Sequence, residues 1–173
     1  MVAVIPPQEN MVALVSRTGR HLQRYCKGRR QVVGCIPYKY NAGEVEVLVI
    51  SSQKGKGMLF PKGGWEKDES KEEAAIRETI EEAGVKGVVE RQLGKWSFKS
   101  KTHDTLYDGH MFPLLVQEQF ELWPEKNFRK REWMSVGEAR EVCQHGWMKD
   151  ALDRLVKRLA SRPQHVEEVG HVC

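Results

Sequence analysis

The sequence has no long hydrophobic run, and it holds only four cysteines in 173 residues. Its longest apolar stretches, residues 32–38 and 47–51, have the length of strands, whereas a membrane helix needs about 20 apolar residues. The cysteines have no C-x-x-C spacing and no accompanying histidine cluster, so we expect neither a zinc site nor a disulfide framework. The first ten residues carry no basic segment followed by an apolar one, which argues against a secretory signal. We therefore expect an intracellular protein with reduced thiols and no membrane partner.

Aromatic residues are scarce, at 8% of the chain, and acidic residues are nearly absent from its first quarter. Residues 1–43 hold seven lysines and arginines and a single acid, Glu9, whereas residues 66–82 hold eight acids. The modest net charge of +4 conceals this separation. We expect the basic segment to bind an anion and the acidic segment to bind a cation.

The rest of the composition is that of one globular domain, with 40% hydrophobic residues and enough length for a core. Turn residues and hydrophobic periodicity predict strands over residues 30–40, 44–52, 93–99 and 110–120. They predict helices over residues 70–83, 135–144 and 148–160, the first two of which begin with capping boxes. The chain is thus divided into a partly ordered basic N-terminal arm (1–30), one domain (31–160) and a flexible polar tail (161–173).

Three carboxylates share one face of the helix predicted over residues 70–83. Glu78, Glu81 and Glu82 stand at positions i, i+3 and i+4, where like charges repel each other. Such crowding is explained if divalent cations lie among the carboxylates, and hard oxygen ligands favour Mg²⁺. The alternative is an acidic helix face that is simply exposed to solvent.

The segment from Gly63 to Val85 extends this pattern. It reads glycine, five residues, Glu69, seven residues, Arg-Glu, two residues, Glu-Glu, one residue, glycine and valine. This segment resembles the Nudix box, and every fixed position of that motif matches. The single departure is Thr79, which stands where the motif has an apolar residue and still offers a methyl group to a core.

The resemblance implies an α/β fold of the Nudix type, an α/β/α sandwich with a mixed β-sheet between helices. It implies a hydrolase that uses Mg²⁺, with Mn²⁺ as a substitute, to cleave a pyrophosphate linkage with a metal-oriented water. The residues that would bind the metal and carry the catalysis are Glu78, Glu81 and Glu82, with Gly63 as a further metal contact. Arg77 would pair with Glu69 and hold the loop against the helix, so these two residues would be structural.

Shorter motifs are similar to the diphosphoinositol polyphosphate phosphohydrolase branch of that family. They are AGVKG at residues 83–87 and RKREW at residues 129–133, while FPKGGW at residues 60–65 fits a plant-type subgroup. Lys62 departs from the animal enzymes of the branch, which have glycine there. A substrate with a phosphate on nearly every ring carbon needs many cations around it. The candidate substrate-binding residues are Arg17, Arg30, Lys54, Lys62, Gly63, Gly64, His103, Lys130 and Arg131.

The predicted function is Mg²⁺-dependent cleavage of the diphosphate group of diphosphoinositol polyphosphates, so the partner is a highly anionic small molecule. The alternatives are hydrolysis of diadenosine penta- or hexaphosphate, and a phosphate-sensing module without effective catalysis. A nucleotide specialist should offer aromatic stacking partners, and the low aromatic content favours the inositol substrate. No stable nucleic-acid partner is expected, because the basic arm lacks interleaved aromatic residues. The favoured location is the cytoplasm or nucleus, with mitochondria as the alternative because the N-terminus is rich in arginine and poor in acids.

Overall fold

The structure is a computed structural model that describes Arg17, Gly19 and residues 21–53, 56–100 and 104–162. Among these residues lie nine strands and three helices. The strands are β1 (Tyr25–Cys26), β2 (Arg29–Asn41), β3 (Glu44–Ser51), β4 (Met58–Leu59), β5 (Lys62–Gly64), β6 (Val85–Val89), β7 (Gly94–Lys99), β8 (Leu106–Gln119) and β9 (Arg131–Ser135). The helices are α1 (Lys71–Ala83), α2 (Val136–Val142) and α3 (Gly146–Ala160).

All nine strands belong to one sheet, whose central path runs β4-β3-β2-β8-β6. The two longest strands, β2 and β8, pair in parallel, and the other pairs are antiparallel. Strands β1 and β5 add to β2, β7 adds to β8, and β9 adds to β3. The expected mixed sheet is confirmed.

Strand β2 is the centre of the core because both of its faces are covered. Eight consecutive residues, from Gln31 to Tyr38, are buried, whereas a strand with one solvated face alternates buried and exposed residues. On one face, the Cys35 thiol donates a hydrogen bond to the carbonyl oxygen of Ala75 in α1. Helix α3 also buries its apolar stripe in the core, through Met148, Leu152 and Leu155.

Helix α1 begins and ends as its sequence predicts. Ser70 accepts a hydrogen bond from the Glu73 amide at 3.0 Å, and the Glu73 carboxylate accepts one from the Ser70 amide at 2.8 Å. Gly84 ends the helix in the left-handed conformation at φ 66°, which glycine adopts without a steric penalty. A second capping box, formed by Ser135 and Glu138, opens α2.

Other element boundaries differ from the prediction, and five short strands, β1, β4, β5, β6 and β9, were not predicted. Strand β8 begins at Leu106, four residues before the predicted strand, because the polar Asp108 and His110 are buried and hydrogen-bonded there. Strands β6 and β9 are short and only partly buried, so they carry weak hydrophobic patterns. Residues 25–30, predicted to lie in the arm, form β1 and the start of β2.

Candidate active site

The loop before α1 lies close to the helix because glycine occupies two of its positions. A Cβ atom on Gly63 would lie 2.0–2.2 Å from the carboxyl group of Glu78, and one on Gly64 would lie 2.0–2.5 Å from the amide of Gln23. A side chain at either position would displace the Glu78 carboxyl group or the Gln23 amide, so glycine lets both groups lie directly against the loop. Strand β5, which contains both residues, pairs with β2 and is thereby fixed to the centre of the sheet.

The three glutamates of α1 are buried: the exposed fractions of Glu78, Glu81 and Glu82 are 8%, 3% and 8%. The alternative of a solvent-exposed acidic face is therefore wrong. Burial and then repulsion by the neighbouring glutamates raise the pKa of Glu78. Burial also raises the pKa of Glu81 and of Glu82, although the positive charges of nearby arginines oppose the change. Keeping these buried carboxylates charged therefore costs free energy, and a bound cation would reduce that cost.

Arg77 is the cation that holds this cluster to the loop. Its guanidinium donates to both carboxylate oxygens of Glu69, at 2.9 and 2.5 Å, and to the Gly64 carbonyl oxygen at 2.9 Å. Its third nitrogen contacts Glu78 at 2.9 Å and Glu81 at 3.4 Å. Because all three nitrogens serve the loop and the helix, the arrangement favours a structural role for Arg77 and Glu69.

Arg129 is a second buried arginine at the cluster, and sequence reasoning did not single it out. Its side chain, 8% exposed, contacts the Glu82 carboxylate at 3.3 Å, the Glu125 carboxylate at 2.9 Å and the Ser51 carbonyl oxygen at 2.9 Å. It lies within the RKREW motif, but nothing in the sequence indicated that it, rather than its neighbours, reaches the glutamates.

Arg17 also contacts the same cluster, through Glu81. Its guanidinium pairs with the buried Glu66 and with Asp68, and its main-chain amide donates to Glu81 Oε2 at 3.3 Å. The sequence presented Arg17 as a substrate-binding cation, but here it neutralises carboxylates of the site.

Among the described residues, the other cations that were predicted to bind substrate do not lie together. The Lys62 amide donates to Glu82 Oε1 at 3.0 Å, and the positive charge of the Lys62 side chain opposes the rise that burial causes in the pKa of Glu82. Arg30 donates to Gln23 at 2.8 Å, and its guanidinium lies 5.8 Å from the centre of the Tyr107 ring. Lys130 is exposed. Two further candidates, Lys54 and His103, lie outside the described residues.

Arg131 has a structural position that the sequence did not predict. Its guanidinium donates to the carbonyl oxygens of Ala83, Gly84 and Phe120, at 2.9, 3.2 and 2.5 Å, and lies 3.8 Å from the centre of the Trp123 ring. These bonds satisfy carbonyl groups at the C-terminal end of α1, where a cation also compensates the helix dipole. The geometry therefore favours a role in fixing α1 over the expected contact with substrate.

A surface cavity of about 730 Å³ is lined by Arg129 but by none of the three glutamates. Its walls are residues 51–53 and 57–58 on one side, residues 126–130 on the other, and Val142. Three of the lining residues are cations, namely Lys126, Arg129 and Lys130. Arg129 therefore belongs to both places: it lines the cavity and contacts Glu82.

The donor set fits a divalent metal ion. Glu78 Oε1 and Glu81 Oε1 accept no hydrogen bond from any residue that the structure describes, although both side chains are buried. Carboxylate oxygens of this kind are the ligands that Mg²⁺ prefers. Within the described ranges no three carboxylate, imidazole or thiol groups form a ready-made metal site, since the glutamates contact Arg17, Arg77 and Arg129 instead.

Comparisons with known proteins agree with this geometry. Residues 28–159 match the NUDIX domain family. The chain is 63% identical to "Nudix hydrolase 21, chloroplastic" of Arabidopsis thaliana, over 91% of this chain and 82% of that protein. It is 64% identical to "Nudix hydrolase 17, mitochondrial" of the same plant, over 88% of each chain.

More distant relatives extend the comparison. Identity is 33% to "Diphosphoinositol polyphosphate phosphohydrolase 3-alpha" of Mus musculus, over 68% of this chain and 71% of that protein. A solved structure, the C. elegans Ap4A hydrolase in a binary complex, has a TM-score of 0.62 at 21% identity and covers 76% of this chain and 98% of that chain. In the part of the chain that is described, no helix is long and apolar enough to cross a membrane. The matched domain and the high identity to named relatives establish that the chain belongs to the Nudix hydrolase family, whose members act on pyrophosphate bonds.

Proposed function

We propose that this Nudix hydrolase uses Mg²⁺ to remove the terminal phosphate from the diphosphate group of diphosphoinositol polyphosphates. The catalytic and metal-binding residues in this proposal are Glu78, Glu81 and Glu82, and Mn²⁺ would substitute for Mg²⁺. The mouse relative named as a diphosphoinositol polyphosphate phosphohydrolase supports the choice of substrate.

The observation that carries the proposal is the contact of Arg129 with both halves of the site. The guanidinium contacts Glu82 in the carboxylate cluster and also lines a cavity with Lys126 and Lys130. A polyphosphate that reaches a metal on the glutamates would leave its other phosphates among these cations. Arginine and lysine bind phosphate through charge-assisted hydrogen bonds. The site thus suits a substrate with more phosphate groups than the metal alone can hold.

The chemistry follows from the residues present. When bound, Mg²⁺ neutralises phosphate oxygens and lowers the pKa of a water molecule. Glu78, Glu81 and Glu82 hold the metal, and a carboxylate of this cluster takes the proton of the attacking water. The water oxygen bonds to the terminal phosphorus, the bridging P–O bond breaks, and the proton passes to the leaving phosphate. The products are orthophosphate and an inositol polyphosphate with one phosphate fewer.

The test is a side-by-side assay of the purified full chain on diphosphoinositol pentakisphosphate and diadenosine hexaphosphate with Mg²⁺. We expect orthophosphate from the inositol substrate, and we expect Glu82→Gln to lower kcat/KM by orders of magnitude at limiting Mg²⁺. Glu141→Gln, on an exposed position of α2, is the matched control. Near-parental turnover of Glu82→Gln would contradict the metal assignment, and an inactive parent chain would contradict the function.

A second candidate substrate class is the dinucleoside polyphosphates, and one observation favours it. The cavity beside Arg129 is lined by three apolar side chains, Met58, Phe128 and Val142, in addition to its cations. An inositol polyphosphate has little apolar surface to place there, whereas a nucleobase has two flat faces. Because the aromatic content is low, the sequence had predicted no aromatic side chain that stacks on a nucleobase.

We also propose an organellar location, whereas the sequence favoured the cytoplasm or nucleus and left mitochondria as the alternative. Two relatives are named chloroplastic and mitochondrial, respectively. The test is the location of the full chain fused at its C-terminus to a fluorescent protein in plant cells. A signal confined to the cytoplasm or nucleus would restore the location that the sequence favoured.

A further inference from the structure

The turn over residues 123–129 is fixed to α1 by two hydrogen bonds, one from a side chain and one from the main chain, to carbonyl oxygens of the helix. The Trp123 indole donates to the carbonyl oxygen of Glu82 at 3.1 Å, and the Glu125 amide donates to the carbonyl oxygen of Glu81 at 3.1 Å. The Phe128 amide in turn donates to the carbonyl oxygen of Glu125 at 3.1 Å. The backbone that carries Phe128 is therefore positioned relative to two of the three catalytic glutamates.

The side chain of Phe128 lies at the cavity wall and is 59% exposed. Exposed apolar residues are common when they stand alone. Phe128 differs because it shares the cavity with Met58 and Val142, so three apolar side chains meet the same space. Leu122 is more exposed, at 72%, but does not line the cavity. Leu122 is therefore the matched control for Phe128, because it is an exposed apolar side chain that does not line the cavity.

Charged residues flank Phe128 in the chain and line the same cavity. Lys126 and Lys130 are exposed on either side of Phe128 in the chain, and Arg129 follows it directly. Consecutive Cα atoms are about 3.8 Å apart, so the side chains of Phe128 and Arg129 leave the backbone close to each other. The Arg129 guanidinium is the group that contacts Glu82. The cavity volume of about 730 Å³ lies in the range of small-molecule sites.

We propose that Phe128 is a specificity residue that stacks on the nucleobase of a nucleoside polyphosphate, while Arg129 directs the phosphate chain toward the catalytic glutamates. This inference rests on the proposed function and deepens its second substrate class. Stacking on an aromatic ring tolerates any base, because every base has a flat face. Inositol phosphates have no planar ring, so the same contact contributes nothing to their binding.

The first test measures binding without turnover. The full chain is titrated with ATP and with inorganic tripolyphosphate in excess EDTA, so that no metal-dependent hydrolysis contributes. We expect the parent chain to bind ATP more tightly than tripolyphosphate by about fivefold or more, the lower end of measured base stacking. Phe128→Ala should remove this preference, and Phe128→Tyr should retain it. Equal affinity of the parent chain for the two probes would overturn the proposal.

The second test separates the substrate classes in the presence of Mg²⁺. Phe128→Ala should raise KM for diadenosine hexaphosphate about fivefold or more, with kcat and the KM for diphosphoinositol pentakisphosphate near the parent values. Leu122→Ala should change neither KM. An equal rise for both substrates would mean that the ring contacts something common to them, which contradicts base stacking. A parent chain that binds ATP preferentially but hydrolyses neither substrate would instead contradict the proposed function alone.

Discussion

Two arginines, Arg77 and Arg129, hold the carboxylates of α1 in position, although neither arginine is itself an acid or a nucleophile. Each is largely buried and each contacts several partners, so each holds two segments of the chain together. A buried charge that loses its partner is expensive, whereas an exposed pair contributes little. We therefore expect the free energy that an ion pair contributes to stability to depend on how deeply the pair is buried and not on the distance between its charged atoms.

Arg77→Ala tests this at a single residue. We expect the free energy of unfolding to fall by roughly 3–5 kcal/mol, because Glu69 and Glu78 would remain buried without their partner. The matched control is Arg140→Ala, whose guanidinium also binds a carboxylate at 2.9 Å but is 50% exposed, so its loss should lower the free energy of unfolding far less. Urea denaturation of both variants measures the difference. An unfolding free energy of Arg77→Ala equal to that of the parent chain, with activity lost, would make Arg77 a catalytic residue.

Strands β2 and β8 contain a polar network in the interior of the sheet. Gln31 links them: its side-chain oxygen lies 2.8 Å from His110 Nε2, and its nitrogen donates to Asp108 at 2.9 Å. Burial, with the charges of two nearby lysines, lowers the pKa of His110 to about 4. Burial alone would raise the pKa of Asp108, but hydrogen bonds from Gln31, Arg29 and Ser97 outweigh it and lower that pKa to about 2.

These shifts predict how stability depends on pH. The unfolded chain takes up a proton on His110 at a higher pH than the folded chain, so this residue destabilises the fold as the pH falls from about 6.5 to about 4. Asp108 adds a further loss between about 3.8 and 2. The buried glutamates of α1 oppose this trend. Their pKa values are raised in the folded chain, so the folded chain binds these protons more readily than the unfolded chain as the pH falls. The informative quantity is therefore the difference between a variant and the parent chain.

His110→Gln keeps a neutral side chain that can donate to Gln31 and removes the titration. Relative to the parent chain, we expect the variant to gain stability as the pH falls from 6.5 to 4, by up to roughly 3 kcal/mol. Thermal unfolding across this range measures the change, with His21→Gln, an exposed position, as the control. Parallel curves for His110→Gln and the parent chain would show that His110 titrates normally in the fold.

The same elements show which features the sequence could predict. The Nudix segment and the capping of α1 are local, because each spacing fixes residues on one turn or one helix face. Arg129 could not be singled out, because its contact with Glu82 depends on how the turn after β8 packs against α1. Arg131 was assigned to substrate for the same reason: its three carbonyl partners come from α1 and from the end of β8. Charge identifies a candidate ligand, whereas packing decides which charges are already paired.

At the scale of the whole molecule, charges of opposite sign meet at Arg129. This residue contacts the Glu82 carboxylate of α1 and lines the cavity together with Lys126 and Lys130. A metal on the carboxylates and phosphates on the cations would each neutralise one set of charges. We therefore expect the basic residues of the cavity to select among substrates, since a metal on the glutamates would act on any pyrophosphate.

Replacing both Lys126 and Lys130 by alanine tests this division of labour. We expect KM for diphosphoinositol pentakisphosphate to rise severalfold and kcat to change little, because these exposed cations bind phosphates that do not react. The rise should shrink as salt is increased from 50 mM to 500 mM, since screening weakens the same contacts in the parent chain. Lys149→Ala combined with Lys157→Ala, two lysines of α3 outside this cavity, removes the same charge and is the control. A similar rise in KM for that control would mean that net charge, and not the cavity, attracts the substrate.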